Sequence, residues 1–298
     1  MGEKDLAEKI LADYNDVFAD IVNVLLFHGE QRIDPDELQP ASAISQYKAD
    51  TGKLHEQERD VSKYWTQYGV RFSLFGLENQ TKPERDMPFR VIGYDGASYR
   101  QQLLKEQKPI PVITMVLHFG IKHRWNYPFS IKELLNIPEY LDEYVNDYRI
   151  FVYDIAWLTD EQLAMFQSDF GIVARHFVET RRNKNYVPDD PRVIKHVDEV
   201  LKLLSVLSQD NRYAEILKTD AGEEVKNMCD VAERLEQRGV KRGMERGMEH
   251  GMKVGELIGK ITMCKEFGLS DEETAKKLNI SVKTLKETLE KRDLQLQR

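Results

Sequence analysis

The segment DVSKYWTQYGVRFSLFGLENQ, residues 60–80, decides how the chain is read. Two runs rich in β-branched and aromatic residues, Asp60 to Trp65 and Val70 to Gln80, flank Thr66, Gln67, Tyr68 and Gly69, which read as a hairpin loop. Antiparallel pairing across such a loop brings the start of the first run to the end of the second. Asp60 and Glu78 therefore arrive at the same end of a sheet. Side chains alternate along a strand, so Glu78 and Gln80 share one face and Asn79 takes the other. Two carboxylates on rigid neighbours suit a divalent cation, and Mg²⁺ held this way neutralises charge on phosphoryl oxygens and lowers the pKa of water. The competing expectation for these acids is a strand-edge salt bridge, with Glu78 paired to Arg59 or Arg71.

Upstream, Tyr14, Val17, Phe18, Ile21, Val22, Leu25 and Leu26 recur at helical spacing, which predicts an amphipathic helix over 14–27 that Gly29 stops. Asp16 and Asp20 lie on its polar side. DPDELQPASAISQ (34–46) reads as loop, and a polar segment through Lys53 and His55 leads to Glu58. Downstream, a second helix is expected from about Phe89 to Leu104, with Arg90 and Tyr94 four apart on one face. They are placed to touch a phosphate, or Tyr94 packs the helix on the sheet. IPVITMVLHF (110–119) reads as a central strand buried on both faces, and YRIFVYDI (148–155) as another. The order predicts a mixed α/β sheet covered on both faces, followed by an all-helical C-terminal region. Helices are expected over about 160–181, 193–208 and 211–238.

Gly239, Gly243, Gly247, Gly251, Gly255 and Gly259 fall at strict four-residue intervals. On a helix they form a slowly winding stripe that lets another helix approach. The alternative is a flexible connector, since each Gly costs a helix roughly 1 kcal/mol. FGLSDEETAKKLNISVKTLKETLEK (267–291) looks like a helix-turn-helix unit, opened by Ser270 and turning at Asn279 and Ile280.

Composition bounds the remaining classes. With 298 residues, 41% hydrophobic, three Trp, 12 Phe and 13 Tyr, the chain can build a real core. Its start, MGEKDLAEKILADYND, is charged from the third residue and unlike a secretory leader, and no run is apolar enough for a membrane helix, so a cytoplasmic location is expected. Cys229 and Cys264 lack partners at zinc or disulfide spacing. His28, His118 and His123 are expected to be structural. The net charge of −8 confines any grip on phosphates to a local surface, for which Arg175, His176, Arg181, Arg182 and Lys184 are candidates, a solvated helix end being the alternative.

Together YNDVFADIVNVLLF (14–27), RDVSKYW (59–65), FGLENQT (75–81), MPFRVIGYDGASYRQQL (87–103) and PVITMVLHFG (111–120), with the glycine-repeat tail, resemble the PD-(D/E)XK nuclease superfamily, and more narrowly the Rpn family of recombination-promoting nucleases or transposases. The resemblance implies a restriction-endonuclease-like core over 1–158, a helical extension over 159–238, the glycine repeat as helix or connector over 239–260 and a small helix-turn-helix-like tail over 261–298. It places Asp60 and Glu78 in the motif's acidic positions and Gln80 where the superfamily's Lys stands, as in other members of the family. An amide orients water but supplies no positive charge. Asp16 is implied as a third acid at the metal, with Asp20 a weaker substitute; its alternative is a surface acid. The activity implied is a Mg²⁺-dependent DNA endonuclease, with Mn²⁺ a substitute, that promotes recombination or element mobility, acting on DNA as a homodimer or higher oligomer. The alternative is a weak or inert relative that binds DNA or protein through its helical tail, in defence against foreign DNA.

Overall fold

The apolar spacing of Val17, Phe18, Ile21, Val22 and Leu25 buries one face of helix α1 (Asn15–Leu25) completely. In the computed structural model, which describes residues 11–42, 44–48, 54–58, 60–104, 108–217 and 225–296, this helix is followed by more strand than the sequence suggests. The segment expected to be loop supplies β1 (Leu38–Pro40) and β2 (Ile44–Lys48), and the polar segment after it supplies β3 (Leu54–Glu58). Pro40 gives the segment the local chemistry of a loop. A proline is tolerated on an edge strand, and β1 is the edge strand of the sheet. β2 and β3 pair only with each other as an antiparallel hairpin, so backbone pairing substitutes for an apolar pattern.

β4 (Val61–Gln67) and β5 (Val70–Gln80) form the expected hairpin, but its loop is tighter than four residues. Only Tyr68 and Gly69 turn, with φ of 49° and 77°, the paired left-handed geometry of a two-residue hairpin. α2 (Met87–Leu104) and β6 (Val112–His118) follow, then α3 (Ile131–Leu134) and β7 (Phe151–Asp154). The sheet order is β1-β4-β5-β6-β7, antiparallel from β1 to β5 and parallel from β5 to β7. β6 lies inside the sheet and is buried on both faces, as its unbroken apolar run predicts.

Register assigns the faces. Val61, Lys63, Phe75 and Leu77 point to the α1 side, where buried Lys63 donates from Nζ to the Asp13 carbonyl at 2.6 Å. Ser62, Gly76, Thr114 and Val116 point to the α2 side, where Val116 packs with Met87 and Val91 and Thr114 donates to Asp95 Oδ1 at 2.6 Å. Asp95 also receives the Tyr148 hydroxyl, so a buried carboxylate with two donors pins α2 to the sheet.

Beyond the sheet come α4 (Asp160–Met165), α5 (Phe170–Arg182), α6 (Val197–Ser208) and α7 (Asn211–Leu217). The single helix expected over 160–181 is broken between Met165 and Phe170, where buried Asp20 accepts from the backbone of Gln167 at 3.0 Å and Ser168 at 2.7 Å. A distant carboxylate thus stabilises the break, which local periodicity does not register.

The chain divides after Ala232 into two compact units. α8 (Met228–Glu266) carries all six repeat glycines in one continuous helix. Within the second unit, α9 (Asp271–Leu278) starts with a capping box between Ser270 and Glu273 and ends at Asn279 in the left-handed conformation. α10 (Val282–Leu296) completes it, with Ile261, Ala275 and Leu285 buried at its centre. The expected helix-turn-helix arrangement is present, with Ala275 buried and Leu278 partly so.

Candidate active site

The site is built where β4 begins and β5 ends. Val61 pairs with Leu77, so one step outward Asp60 stands across from Glu78, and the 2.7 Å hydrogen bond from Asn79 N to Asp60 Oδ2 closes that end of the ladder. Glu78 is buried on the α2 side of the sheet, and Gln80, two residues on, donates from Nε2 to Glu78 Oε1 at 3.3 Å. The side-chain parity of β5 thus gathers Asp60, Glu78 and Gln80 at one end of one face.

The first turn of α2 caps this group. Arg90 reaches down to form an ion pair with Glu78, donates to Glu84 Oε2 at 2.5 Å and donates to the Tyr94 hydroxyl at 2.8 Å. A salt bridge at Glu78 was the competing expectation, and among the described residues Arg90, not Arg71, makes it. Arg59 lies outside the described residues, and Arg71 is at the far end of β5, over the Tyr64 ring at 4.1 Å. Burial disfavours the charged guanidinium of Arg90, but Glu78, Tyr94 and Glu84 outweigh it and raise its pKa above the ordinary arginine value. The Tyr94 hydroxyl is pushed up by burial and by the nearby charge of Glu78, so it stays protonated.

Asp16 is not brought into this group. α1 lies on the other face of the sheet, and Asp16 pairs with Lys195 Nζ at 2.6 Å and His196 Nε2 at 3.6 Å. Burial pushes its pKa up, but the two bases hold it below the usual carboxylate value. Asp20, engaged by the Gln167 and Ser168 amides, is likewise committed elsewhere, and burial raises its pKa.

The local basic surface proposed for residues 175–184 is also reassigned. His176 is buried among Phe177, Tyr186 and Tyr213, and desolvation lowers its pKa to about 4, so it is neutral. Arg175 pairs with Asp190, Arg181 donates to the Ala156 carbonyl and stacks on Trp157, and Arg182 bridges Asp160 and Glu179. The charges at this helix end chiefly hold neighbouring segments together.

Other groups on the same sheet edge were not apparent from spacing. Parallel pairing sets His118 beside Gln80 and Asp154 beside His118, and the fully buried His118 ring joins Asp154 Oδ1 through Nδ1 at 2.7 Å. A Cβ on Gly120 would come within 2.4 Å of His118 Nε2, so only glycine permits the chain to pass there. His118 has a structural partner, as expected, but the partner is supplied by the pairing of β6 with β7. Glu84 and Arg90 meet around the loop before α2, a contact equally invisible in local periodicity.

Among the described residues, no group of three or more His, Cys, Asp or Glu side chains is arranged to hold a metal ion. The donors at the candidate site, two carboxylates and one amide, nevertheless fit a hard cation, because Mg²⁺ is commonly held by one or two carboxylates and completed by water and phosphate. Arg90 is its competitor at Glu78. The five-stranded mixed sheet with its flanking helices is consistent with an α/β nuclease-like fold.

Residues 66–187 match the family described as "Putative transposase, YhgA-like", and over this stretch the chain is similar to that family. The match takes in Glu78, Gln80 and Arg90 and begins after Asp60. No curated protein and no solved structure matches the chain. Among the described residues, no helix is long and apolar enough to cross a membrane.

Proposed function

We propose that this chain is a metal-dependent DNA endonuclease of the cytoplasm that nicks or cuts DNA, works as a homodimer or higher oligomer, and so promotes recombination or mobility. The observation that carries the reading is the convergence of Asp60, Glu78 and Gln80 on one end of one sheet face, beneath Arg90 and Tyr94. Asp60 and Glu78 would hold Mg²⁺, with Mn²⁺ as a substitute. When bound, the cation supplies charge neutralisation at the phosphoryl oxygens and a lowered water pKa.

The chain's own residues would do the rest. Gln80 holds the nucleophilic water through its amide, and the strand backbone fixes its distance from Glu78. Arg90 would turn its fork toward a phosphate oxygen, for which guanidinium geometry is well matched. Tyr94 stays protonated and donates to the same phosphate. A homodimer would present one such site to each DNA strand.

Supercoiled plasmid incubated with the purified chain in Mg²⁺, Mn²⁺ or EDTA tests this directly. Nicking or linearisation is expected with either metal, none with EDTA, and a loss of at least ~100-fold in Asp60→Ala and Glu78→Ala, as for removal of a group acting in the transition state. Cleavage that survives both substitutions overturns the assignment.

One observation favours a second reading. Arg90 already neutralises Glu78, and Gln80 brings no cation of its own, the pattern expected of a weak or inert relative that binds DNA or protein through its helical tail, in defence against foreign DNA.

A further inference from the structure

At the opposite end of β4 and β5 the structure holds a second concavity, lined by Gln39, Tyr64, Thr66, Arg71, Gln102 and Lys108 with apolar Val70 and Ile110. Its volume, about 560 Å³, is in the range of small-ligand sites. We propose that it binds an organic phosphate monoester of mononucleotide size, either a free nucleotide or the phosphorylated end of a DNA strand.

Charge is the first argument. The wall contains two cations, Arg71 and Lys108, and no carboxylate. Among the described residues neither cation has an acidic partner, unlike Arg90, Arg175, Arg182 and Arg192, each of which is paired with at least one carboxylate. A phosphate monoester, close to two negative charges near neutral pH, matches such a pair better than a singly charged diester.

The second argument is an unsatisfied buried donor. Gln102 is buried, and its Oε1 accepts from Ile110 N at 2.7 Å. A backbone N–H can only donate, so this bond fixes which way the amide points. Nε2 is then left as a donor, and it is buried without a hydrogen-bond partner; the same is true of the Thr66 hydroxyl. Leaving a donor so placed costs free energy that an oxyanion would recover.

The third is a backbone device. The ladder steps from Trp65↔Ser73 to Thr66↔Arg71, so Phe72 is the extra residue of a β-bulge. Simple alternation would send Arg71 to the α1 side with Ser73. The bulge redirects it over the Tyr64 ring at 4.1 Å, on the face where Gln102 of α2 lies. Stacking fixes the guanidinium plane, and Tyr64, Val70 and Ile110 leave apolar wall for the organic part of the ligand.

Isothermal titration calorimetry of the full chain in EDTA tests the site apart from the acid pair. The probes are dAMP against deoxyadenosine, and a short single-stranded oligonucleotide with a 5′-phosphate against the same strand with a 5′-hydroxyl. In at least one pair the phosphorylated member is expected to bind roughly tenfold or more tightly, and the pair that responds identifies the source. Arg71→Gln, on an exposed side chain, and Gln102→Glu, which keeps the acceptor for Ile110 N, are each expected to abolish that preference, while Asp60→Ala retains it. If neither phosphorylated probe binds better than its partner, or if the preference survives both substitutions, the proposal falls. Loss in Asp60→Ala as well would assign binding to the acid pair and also overturn it.

Discussion

Glu78 is a buried carboxylate ion-paired to Arg90, and its energetics decide how the site behaves. Removing Arg90 breaks this buried ion pair, and Arg90→Ala is expected to cost on the order of 3 kcal/mol of stability in metal-free buffer. If Asp60 and Glu78 hold a cation, millimolar Mg²⁺ should raise the melting temperature of Arg90→Ala by more than that of the wild type, because no guanidinium competes. An equal response of the two proteins would mean that the cation does not sit at Glu78. His176 sets a different dependence. Its folded-state pKa of about 4 lies below the ordinary 6.5, so between those values the unfolded chain takes up a proton that the folded one refuses. Stability is then expected to fall as pH drops through that window, by about 2 kcal/mol between pH 7 and pH 5. Urea midpoints at the two pH values check this, and His176→Leu should flatten the difference. Neither behaviour was legible beforehand. A sequence shows that Arg90 and Tyr94 share a helix face, but not that the face looks down on Glu78, nor that His176 of a basic-looking run is enclosed by three aromatic rings.

Among the elements, β5 and β6 were readable almost to the residue, β6 because its unbroken apolar run is bounded by Pro and Gly, and β5 because its aromatic and aliphatic residues follow the turn at Gly69. β1 to β3 were not, because strands of polar composition are held by backbone pairing that local sequence does not announce. That Asp60 and Glu78 lie across from one another was legible in the hairpin pattern, whereas the placing of Asp16 required knowing which face α1 covers. α8 runs as a helix through the whole glycine repeat. Its glycines meet nothing: a Cβ at Gly239, Gly243, Gly247, Gly251, Gly255 or Gly259 would have no neighbour within 4 Å. Replacing Gly243 and Gly247 by Ala is therefore expected to stabilise the helix by about 1 kcal/mol per site, seen as greater helicity and a higher melting point by circular dichroism. A fall in stability instead would show that the stripe is a contact surface requiring close approach.

On the scale of the molecule, the division after Ala232 separates the sheet and its candidate site from the glycine-repeat helix and the three-residue core of the tail. A chain ending at residue 238 is expected to keep a cooperative thermal transition and, on the endonuclease reading, plasmid cleavage within about tenfold of the full chain, allowing for lost avidity. Loss of biological function in that truncation, together with full function in Glu78→Ala, would instead favour the tail-dependent relative. The β-bulge at Phe72 has a consequence for how such a protein changes over generations. Because the ladder is already out of step there, residues can be added to or deleted from the Tyr68–Gly69 tip without altering the phase in which Asp60 meets Glu78. The hairpin tip can therefore be altered while the acid pair stays in register, so the concavity around Arg71 and the acid pair at the other end can be changed independently of one another.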